Sequence, residues 1–191
     1  MILATNNKGK LKEIKEILSD YEIYSLEEKS INIEVEEDQD TFLGNALKKA
    51  QEINKITNEA VIADDSGLCI TGLKDFPGVM THRFLGEEAT DEDRNLELIK
   101  KADTLSNRNA KVICNLVYYD GEKTLVGEGI LEGKISNSPR GENGFGFDSI
   151  FELPNGKTLA ELSSEEKNKS SARYLAALDL KDKLLNLSKN D

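Results

Sequence analysis

The sequence places two adjacent carboxylates, Asp64 and Asp65, directly after the apolar residues 61–63. A short apolar run followed by Asp-Asp-Ser-Gly predicts a buried strand that ends in a loop. In open α/β sheets, ligands bind beyond the carboxyl ends of the strands. Adjacent carboxylates repel each other unless a cation or protons compensate them, and ligand sets made only of oxygen suit Mg²⁺. The segment therefore predicts a magnesium site, and an Asx-type turn is the alternative it leaves open.

A second segment, residues 5–10, has the composition of an anion-binding turn. Its lysines, Lys8 and Lys10, fall at the start of a predicted helix, where the helix dipole disfavours cations. A bound anion would remove that conflict, because lysines and free backbone N–H groups would converge on it. A polar turn with solvated lysines is the alternative.

Three further segments carry weaker signals. The acidic residues between Glu34 and Asp40 form either a solvated face or a source of a second metal ligand for Asp65. The alternation of Gly and Phe at residues 144–148 offers a ring on which a base could stack, or a packed turn. Residues 166–173 place several donors at the start of the last predicted helix, which is also an ordinary charged helix start.

The elements that must position these segments alternate between helix and strand. An Asp-Gly pair at residues 120–121 predicts a hairpin, and residues 136–147 predict a loop rich in Gly and Asn. This order is typical of an α/β fold with a mixed sheet. We expect helices at residues 8–18 and 41–56, one beginning at Thr90 and one at residues 170–187, and strands at residues 2–4, 21–25, 61–63, 111–119 and 123–131.

Length and charge limit the class of protein. A chain of 191 residues predicts a single domain. Its net charge of −11 argues against binding to a nucleic-acid backbone but permits a small anionic ligand held by a few lysines. Nothing approaches 18 consecutive apolar residues, and the polar start predicts no secretory signal. Cys69 and Cys114 are expected to be reduced core thiols on strands of a cytoplasmic protein.

Six blocks in order resemble the inosine triphosphate pyrophosphatase family, from residue 2 to about residue 180. The resemblance implies a long bent mixed β-sheet with helical lobes on either side of a central cleft, and usually a homodimer. The blocks are Thr5-x-Asn7-x-x-Lys10, Glu37 followed by Thr41-Phe42 and Asn45-Ala46, Asp64-Asp65-Ser66-Gly67-Leu68, Pro77-Gly78-Val79, Gly144-Phe145-Gly146-Phe147-Asp148 and Glu166-Lys167-Asn168.

The resemblance also implies roles for residues of this chain. Asp65 would be the catalytic carboxylate and, with Glu37, would bind Mg²⁺, although Glu36 is one register away. The remaining positions would bind substrate. The phosphates would be bound by Thr5, Asn7, Lys10 and Lys49, and Ser66 would lie beside the reacting group. The base would be contacted by Phe145, Gly146, Phe147, Asp148, Lys167, Ala172 and Arg173.

The chain departs from the family pattern at three positions. Gly44 stands where the family usually has Glu, so one carboxylate of the acidic rim is missing. Ala172 replaces the His of a Ser-His-Arg motif that contacts the base. His82, the only histidine of the chain, lies where many relatives carry a small residue, and it is either a surface residue or a substitute donor.

The implied reaction is hydrolysis of ITP, dITP or XTP to the monophosphate and pyrophosphate, which removes these nucleotides from the pool. Two alternatives stay open: a catalytically weak relative that binds nucleotides, and a house-cleaning pyrophosphatase with a different base preference, such as one for modified pyrimidines. An interaction module is a third, disfavoured by the acidic strand end. The base, the sugar, the rate and the dimer surface are not determined by the sequence.

Overall fold

The computed structural model describes residues 1–86 and 88–187, which form seven strands and five α-helices. Single 3₁₀ turns lie at Thr71–Leu73, Gly78–Met80 and Leu159–Glu161. The strands are β1 (Ile2–Leu3), β2 (Tyr24–Ser25), β3 (Val61–Ile70), β4 (Phe76–Pro77), β5 (Asn109–Tyr119), β6 (Thr124–Ile135) and β7 (Phe151–Glu152); the helices are α1 (Lys8–Ile17), α2 (Phe42–Thr57), α3 (Asp91–Ala102), α4 (Ser164–Asn168) and α5 (Ala172–Leu187).

The strands pair in the order β2-β1-β3-β5-β6-β7, and β4 pairs with β3. Strand β1 is parallel to both β2 and β3, whereas β4 and β7 are antiparallel to their partners. The α/β class with a mixed sheet is therefore confirmed. So is the hairpin, whose turn is held by Asp120 Oδ1, which accepts hydrogen bonds from the amides of Glu122 and Lys123.

The chain divides into two compact units. The first unit comprises the described parts of Met1–Ser66, Cys114–Gly129 and Ser171–Asp191, and the second unit comprises those of Gly67–Ile113 and Ile130–Ser170. Strands β3, β5 and β6 contribute residues to both. That the whole chain acts as one pyrophosphatase domain stays a prediction.

The core of the first unit forms between helix α2 and the strands. Apolar residues of α2 recur at helical spacing, so Ala46, Ala50 and Ile53 share one buried face. They pack with Ile2 and Val61 of the parallel strands. Thr41 caps the helix, since its Oγ1 accepts a hydrogen bond from the Gly44 amide at 3.0 Å. This packing fixes the polar residues of α2 relative to β3.

In the second unit, helix α3 begins as expected after Thr90. Thr90 and Asp93 form a capping box, in which each side chain accepts a hydrogen bond from the other's backbone amide. Three acidic residues in the first turn, Asp91 to Asp93, suit the positive end of the helix dipole.

Several boundaries differ from the predictions by one to a few residues, and two of the differences concern the residues with candidate functions. Strand β3 does not end at Ala63 but runs to Ile70 with all ten residues buried. It continues because cations compensate Asp64, hydrogen bonds hold Asp65, and the apolar core resumes at residues 68–70. The predicted helix at residues 170–187 starts at Ala172, and Lys167 lies in the separate helix α4. The Ser163 side chain caps α4, and the Ser171 hydroxyl accepts from the Tyr174 amide at the start of α5.

Two other expectations concern the cysteines and membranes. Cys69 on β3 and Cys114 on β5 are buried free thiols, as predicted, and burial raises their pKa to about 11 and about 12. No helix within residues 1–86 or 88–187 is long and apolar enough to cross a membrane.

Candidate active site

The first of the paired carboxylates, Asp64, lies in the middle of β3 within a group of cations. Lys10 Nζ of α1 is 2.8 Å from Asp64 Oδ2, and the Arg173 guanidinium of α5 is 3.8 Å from the same oxygen. Burial alone would raise the pKa of Asp64, but the charges of Lys10, Arg173 and Lys49 outweigh it and hold this pKa well below its usual range. Asp64 is therefore a permanently ionised anchor.

Asp65 points to a different set of partners. Asn45 Nδ2 of α2 donates to Asp65 Oδ2 at 2.8 Å, and the Ser66 amide donates to Oδ1 at 2.9 Å. The pKa of Asp65 is raised to about 6, mainly by burial and also by the negative charge of Glu37, although Lys49 and the Asn45 hydrogen bond act in the opposite direction. Of the two carboxylates, Asp65 is the one whose charge the protein leaves poorly compensated.

Lys49 connects the two carboxylates with the acidic loop. Its Nζ donates to Glu37 Oε1 at 2.6 Å and to the main-chain oxygen of Asp64 at 2.5 Å. Burial lowers the pKa of this lysine, but Asp64, Glu37 and Asp65 together raise it above its ordinary value. Lys49 therefore stays charged within this group.

The register of the acidic loop favours Glu37 over Glu36. Ile31, Ile33 and Val35 pack against the core of the first unit, and continuing this alternation turns Glu37 inward, where it is partly buried, and leaves Glu36 exposed. The loop also explains Gly44: a Cβ there would lie 2.9 Å from Gln39 Cβ and 3.0 Å from Thr41 Oγ1. A larger residue at position 44 would push the loop outward.

These residues fit a magnesium ion. Among the residues that the structure describes, no three His, Cys, Asp or Glu side chains form a metal-binding group. Mg²⁺, however, commonly takes only one or two carboxylates and completes its shell with water and substrate phosphates. Asp65 and Glu37 are oxygen donors whose mutual repulsion raises the pKa of Asp65, and a cation would relieve it.

The segment predicted to bind an anion, residues 5–10, is held mainly by its own side chains. Asn7 Oδ1 caps α1 by accepting hydrogen bonds from the amides of Gly9 and Lys10, and Thr5 Oγ1 accepts from the Asn7 amide. The lysines of the segment differ: Lys8 is exposed, whereas Lys10 is buried against Asp64. The expectation that Lys10 stands uncompensated in the helix dipole is therefore wrong.

Arg173 is buried in the first unit rather than exposed at a charged helix start. It forms an ion pair with Glu13 of α1, and its Nη2 lies 3.3 Å from Ser66 Oγ. Its neighbour Ala172 is only 2% exposed and lies against β6, where a Cβ on Gly129 would approach the Ala172 oxygen to 1.9 Å. The first unit thus brings together Lys10, Glu37, Lys49, Asp65, Ser66 and Arg173.

Sequence reasoning missed two members of this group. Asn45 belongs to a block that was recognised, but only as a marker of the resemblance and not as a hydrogen-bond donor to Asp65. Glu13 lies one helical turn after Lys10, and this spacing places both on one face of α1. That spacing was the only signal available for Glu13.

The second unit contains the Gly-Phe segment and Lys167. Asp148 Oδ2 accepts hydrogen bonds from the Phe145 amide at 2.8 Å and from Lys167 Nζ at 2.7 Å. Lys167 Nζ also lies 4.4 Å from the centre of the Phe145 ring, within the range of a cation–π contact. Gly144 has φ +82°, and a Cβ there would lie 2.1 Å from Asp148 Oδ2, so the turn requires glycine.

A pocket of about 340 Å³ opens beside this turn. It is lined by Asp91, Glu92, Asn95, Pro139, Gly141, Glu142, Asn143, Gly144, Phe145, Gly146, Asp148, Ser149 and Ala160. A second, smaller recess is lined by Phe147 and by His82, which is exposed; a Cβ on Gly146 would lie 3.8 Å from His82 Cε1. The second unit therefore brings the predicted base-binding residues of segment 145–148 together with Lys167.

Comparisons with known proteins agree with the sequence blocks. The Ham1 family model matches residues 1–183. The chain is 46% identical over 179 residues to a dITP/XTP pyrophosphatase of Bacillus subtilis, with 90% of each chain covered. It is 43% identical over 190 residues to a dITP/XTP pyrophosphatase of Thermoanaerobacter, with 97% of this chain and 96% of the relative covered.

Solved structures give the same result. A HAM1 protein from Coxiella burnetii superposes with a TM-score of 0.89 at 37% identity, covering 97% of this chain and 98% of that one. The Staphylococcus aureus Ham1 protein gives a TM-score of 0.88 at 36% identity, with 97% of both chains covered. The resemblance found in the sequence is confirmed.

Proposed function

Because the chain belongs to the Ham1 family, we propose that it is a nucleoside-triphosphate pyrophosphatase that hydrolyses dITP, XTP and ITP to the monophosphate and pyrophosphate. Two relatives bear the name dITP/XTP pyrophosphatase. The single observation that carries the proposal is Asp65: a buried carboxylate with a pKa raised to about 6, next to a charged lysine and a second carboxylate. Perturbed carboxylates of this kind are typical of catalytic groups.

Asp65 would act on the attacking water. With a pKa near 6 it is mostly ionised at neutral pH, yet basic enough to accept a proton from water. The water oxygen forms a bond to the α-phosphorus, and the bond from this phosphorus to the oxygen bridging to the β-phosphate breaks. The proton held by Asp65 then passes to solvent. Asn45 and the Ser66 amide fix the carboxylate in one orientation.

Lys49 and Lys10 would neutralise the triphosphate. Lys49 already bridges Glu37 and the Asp64 oxygen, so its ammonium is fixed before substrate arrives. Preorganised charge of this kind stabilises the charge that develops on the leaving pyrophosphate. Thr5, Asn7 and the first amides of α1 would contribute further donors, and Ser66 and Arg173 would contact the substrate next to Asp65.

Mg²⁺ would be held by Glu37 and Asp65. When bound, it would neutralise phosphate charge and make the phosphorus more electrophilic.

The base would bind at Phe145, Gly146, Phe147 and Asp148. The Phe145 ring offers a stacking face, and Lys167, fixed by Asp148 at 2.7 Å, is a donor suited to the 6-oxo group of hypoxanthine or xanthine. Adenine presents an amino donor at that position and would be disfavoured. Ala172 would occupy the place of a further donor without providing one.

We further propose that the protein acts in the cytoplasm as a homodimer, as the family resemblance implies. Sedimentation of the purified protein tests the dimer: a single species at the monomer mass across micromolar concentrations would contradict it.

The decisive experiment measures pyrophosphate release from ITP, dITP, XTP, ATP, GTP and dUTP with and without Mg²⁺. Magnesium-dependent turnover that favours the 6-oxo purines ITP, dITP and XTP supports the proposal. Binding of ITP without turnover would indicate a nucleotide-binding relative. A preference for dUTP would indicate a house-cleaning enzyme of different specificity, and equal slow turnover of all six would contradict a specific pyrophosphatase.

A further inference from the structure

Helix α3 contacts both backbone polar groups of one residue in the Gly-Phe turn, Gly146. Asn95 Nδ2 donates to the Gly146 carbonyl oxygen at 2.9 Å, and the Gly146 amide donates to Asp91 Oδ2 at 3.0 Å. Asp91 and Asn95 are one helical turn apart, so they lie on the same face of α3. All of these residues belong to the second unit.

The two contacts differ in burial, which makes Asn95 the stronger one. Asn95 is only 5% exposed, and its amide also lies 3.3 Å from Ser149 Oγ. The hydrogen bond from Asn95 to the Gly146 oxygen is partly buried, so removing its donor leaves this carbonyl less well satisfied. The Asp91 side chain is about half exposed, so water can replace its contact.

The turn needs this external support because its own conformation is unusual. Gly144 and Gly146 have φ values of +82° and +62°, and glycine has the greatest conformational freedom of all residues when it is not held. Within the turn, the Phe145 amide is fixed by Asp148, but the N–H and C=O groups of Gly146 are fixed by α3. The direction of the Phe145 ring relative to Asp148 and Lys167 therefore depends on Asn95.

We propose that Asn95, assisted by Asp91, is a positioning residue for base recognition: it holds the backbone of Gly146 so that Phe145 and Asp148 present a preformed surface to the purine. This inference rests on the proposed function, because it assumes that the turn binds the base. Asn95 touches the turn and not the triphosphate-binding residues of the first unit, so it acts on substrate affinity and base choice. Preorganisation of this kind lowers the cost of binding.

The test uses substrates with and without a base. In Asn95→Ala, we expect kcat/KM for XTP to fall about ten- to a hundredfold, mostly through KM, with kcat within about threefold of wild type and with a smaller XTP-to-ATP ratio. For ribose 5-triphosphate, which lacks a base, kcat/KM should change less than about twofold. An equal loss for both substrates would overturn the inference, since Asn95 would then support the whole fold.

Three further variants separate positioning from general stability. Asn95→Asp keeps the shape but removes the donor, so it should lose XTP affinity at least as strongly as Asn95→Ala. Asp91→Ala should show a weaker effect in the same direction. The matched control is Asn54→Ala, because Asn54 is also buried and donates one 2.9 Å hydrogen bond to a main-chain oxygen, that of Glu59; it should lower stability without changing the XTP-to-ATP ratio.

Hydrogen exchange provides a readout independent of activity. In metal- and ligand-free Asn95→Ala, peptides covering residues 144–148 should exchange faster than in wild type, while those covering α2 should not change. Unchanged exchange in the turn would overturn the inference. If wild type hydrolyses ribose 5-triphosphate as well as XTP, the proposed base specificity fails instead, and the exchange result still decides whether Asn95 holds the turn.

Discussion

Asp64 and Asp65 are neighbours in β3, yet their pKa values shift in opposite directions: that of Asp64 is lowered and that of Asp65 is raised to about 6. Successive residues of a strand point to opposite faces. Asp64 meets the cations of α1 and α5, Lys10 and Arg173, whereas Asp65 meets the neutral amide of Asn45. One carboxylate of the pair is therefore compensated by cations, and the other, with its raised pKa, is the one to which we assign the proposed chemistry.

The first prediction concerns the activity of Asp65. Asp65→Asn should retain the fold and lose at least about 10²–10³ in kcat, because it removes the proposed base and a preorganised charge. Pyrophosphate release from XTP with saturating Mg²⁺ measures the loss. The control is Asp38→Asn, which changes an exposed acid of the acidic loop that pairs with Lys48. Activity of Asp65→Asn within about threefold of wild type would refute its catalytic assignment.

The second prediction concerns the stability of the same variant without metal. The pKa of Asp65 rises from 3.8 unfolded to about 6 folded, so the folded state binds the proton more tightly. Wild type therefore loses stability as the pH rises from about 4 through 6, by up to about 3 kcal/mol. Asn cannot ionise and escapes this loss.

In the presence of a chelator, the free energy of unfolding of Asp65→Asn should consequently increase relative to that of wild type as the pH is raised from 5 to 8. A loss of about 1 kcal/mol applies at both pH values and is independent of this gain, because one of the two donors that contact Asp65 loses its acceptor. Urea unfolding at both pH values measures the difference. A difference between variant and wild type that does not change with pH would mean that the pKa of Asp65 is not raised.

The third prediction concerns Lys10. Since Lys10 is the nearest cation to a buried carboxylate, Lys10→Met should lower the free energy of unfolding by about 3 kcal/mol at pH 7. The lowered pKa of Asp64 contributes stability above pH 3.8 that is lost as the pH falls, so the deficit should shrink below about pH 4.

Two further variants test the same pair. Lys12→Met, with a side chain 70% exposed, should change stability little. The double variant Lys10→Met, Asp64→Asn should recover much of the loss, because no charge is then left buried without its partner. Thermal melts of wild type, Lys10→Met, Asp64→Asn and the double variant give the comparison, and Lys12→Met is the control. If the two single losses simply add, the pair is not coupled and Lys10 acts elsewhere.

The sequence predicted which helices and strands form better than it predicted where they end. It also predicted which residues could take part in a site better than it predicted which side chains contact each other. Periodicity revealed α2 and the strands because their apolar residues pack locally. It failed at Asp64, where an acidic pair normally marks a loop, because the cations that allow β3 to continue come from Lys10 and Arg173, distant in the chain. Roles for Asp65, Lys49 and Phe145 came from the family blocks; spacing alone left their alternatives open.

The last prediction concerns base selectivity at the two departures from the family pattern. Ala172 is only 2% exposed, so Ala172→His should overpack this buried position and lower the free energy of unfolding by about 1–3 kcal/mol. His82, by contrast, is exposed beside Gly146 of the turn that we propose binds the base, and it can supply a donor. We expect His82→Ala to reduce the XTP-to-ATP ratio of kcat/KM by about two- to tenfold, the effect of one hydrogen bond. Met80→Ala, an exposed neighbour, is the control and should leave the ratio unchanged. An unchanged ratio in His82→Ala would assign selectivity to Lys167, Asp148 and the backbone around Phe145, and His82 would then be a surface residue.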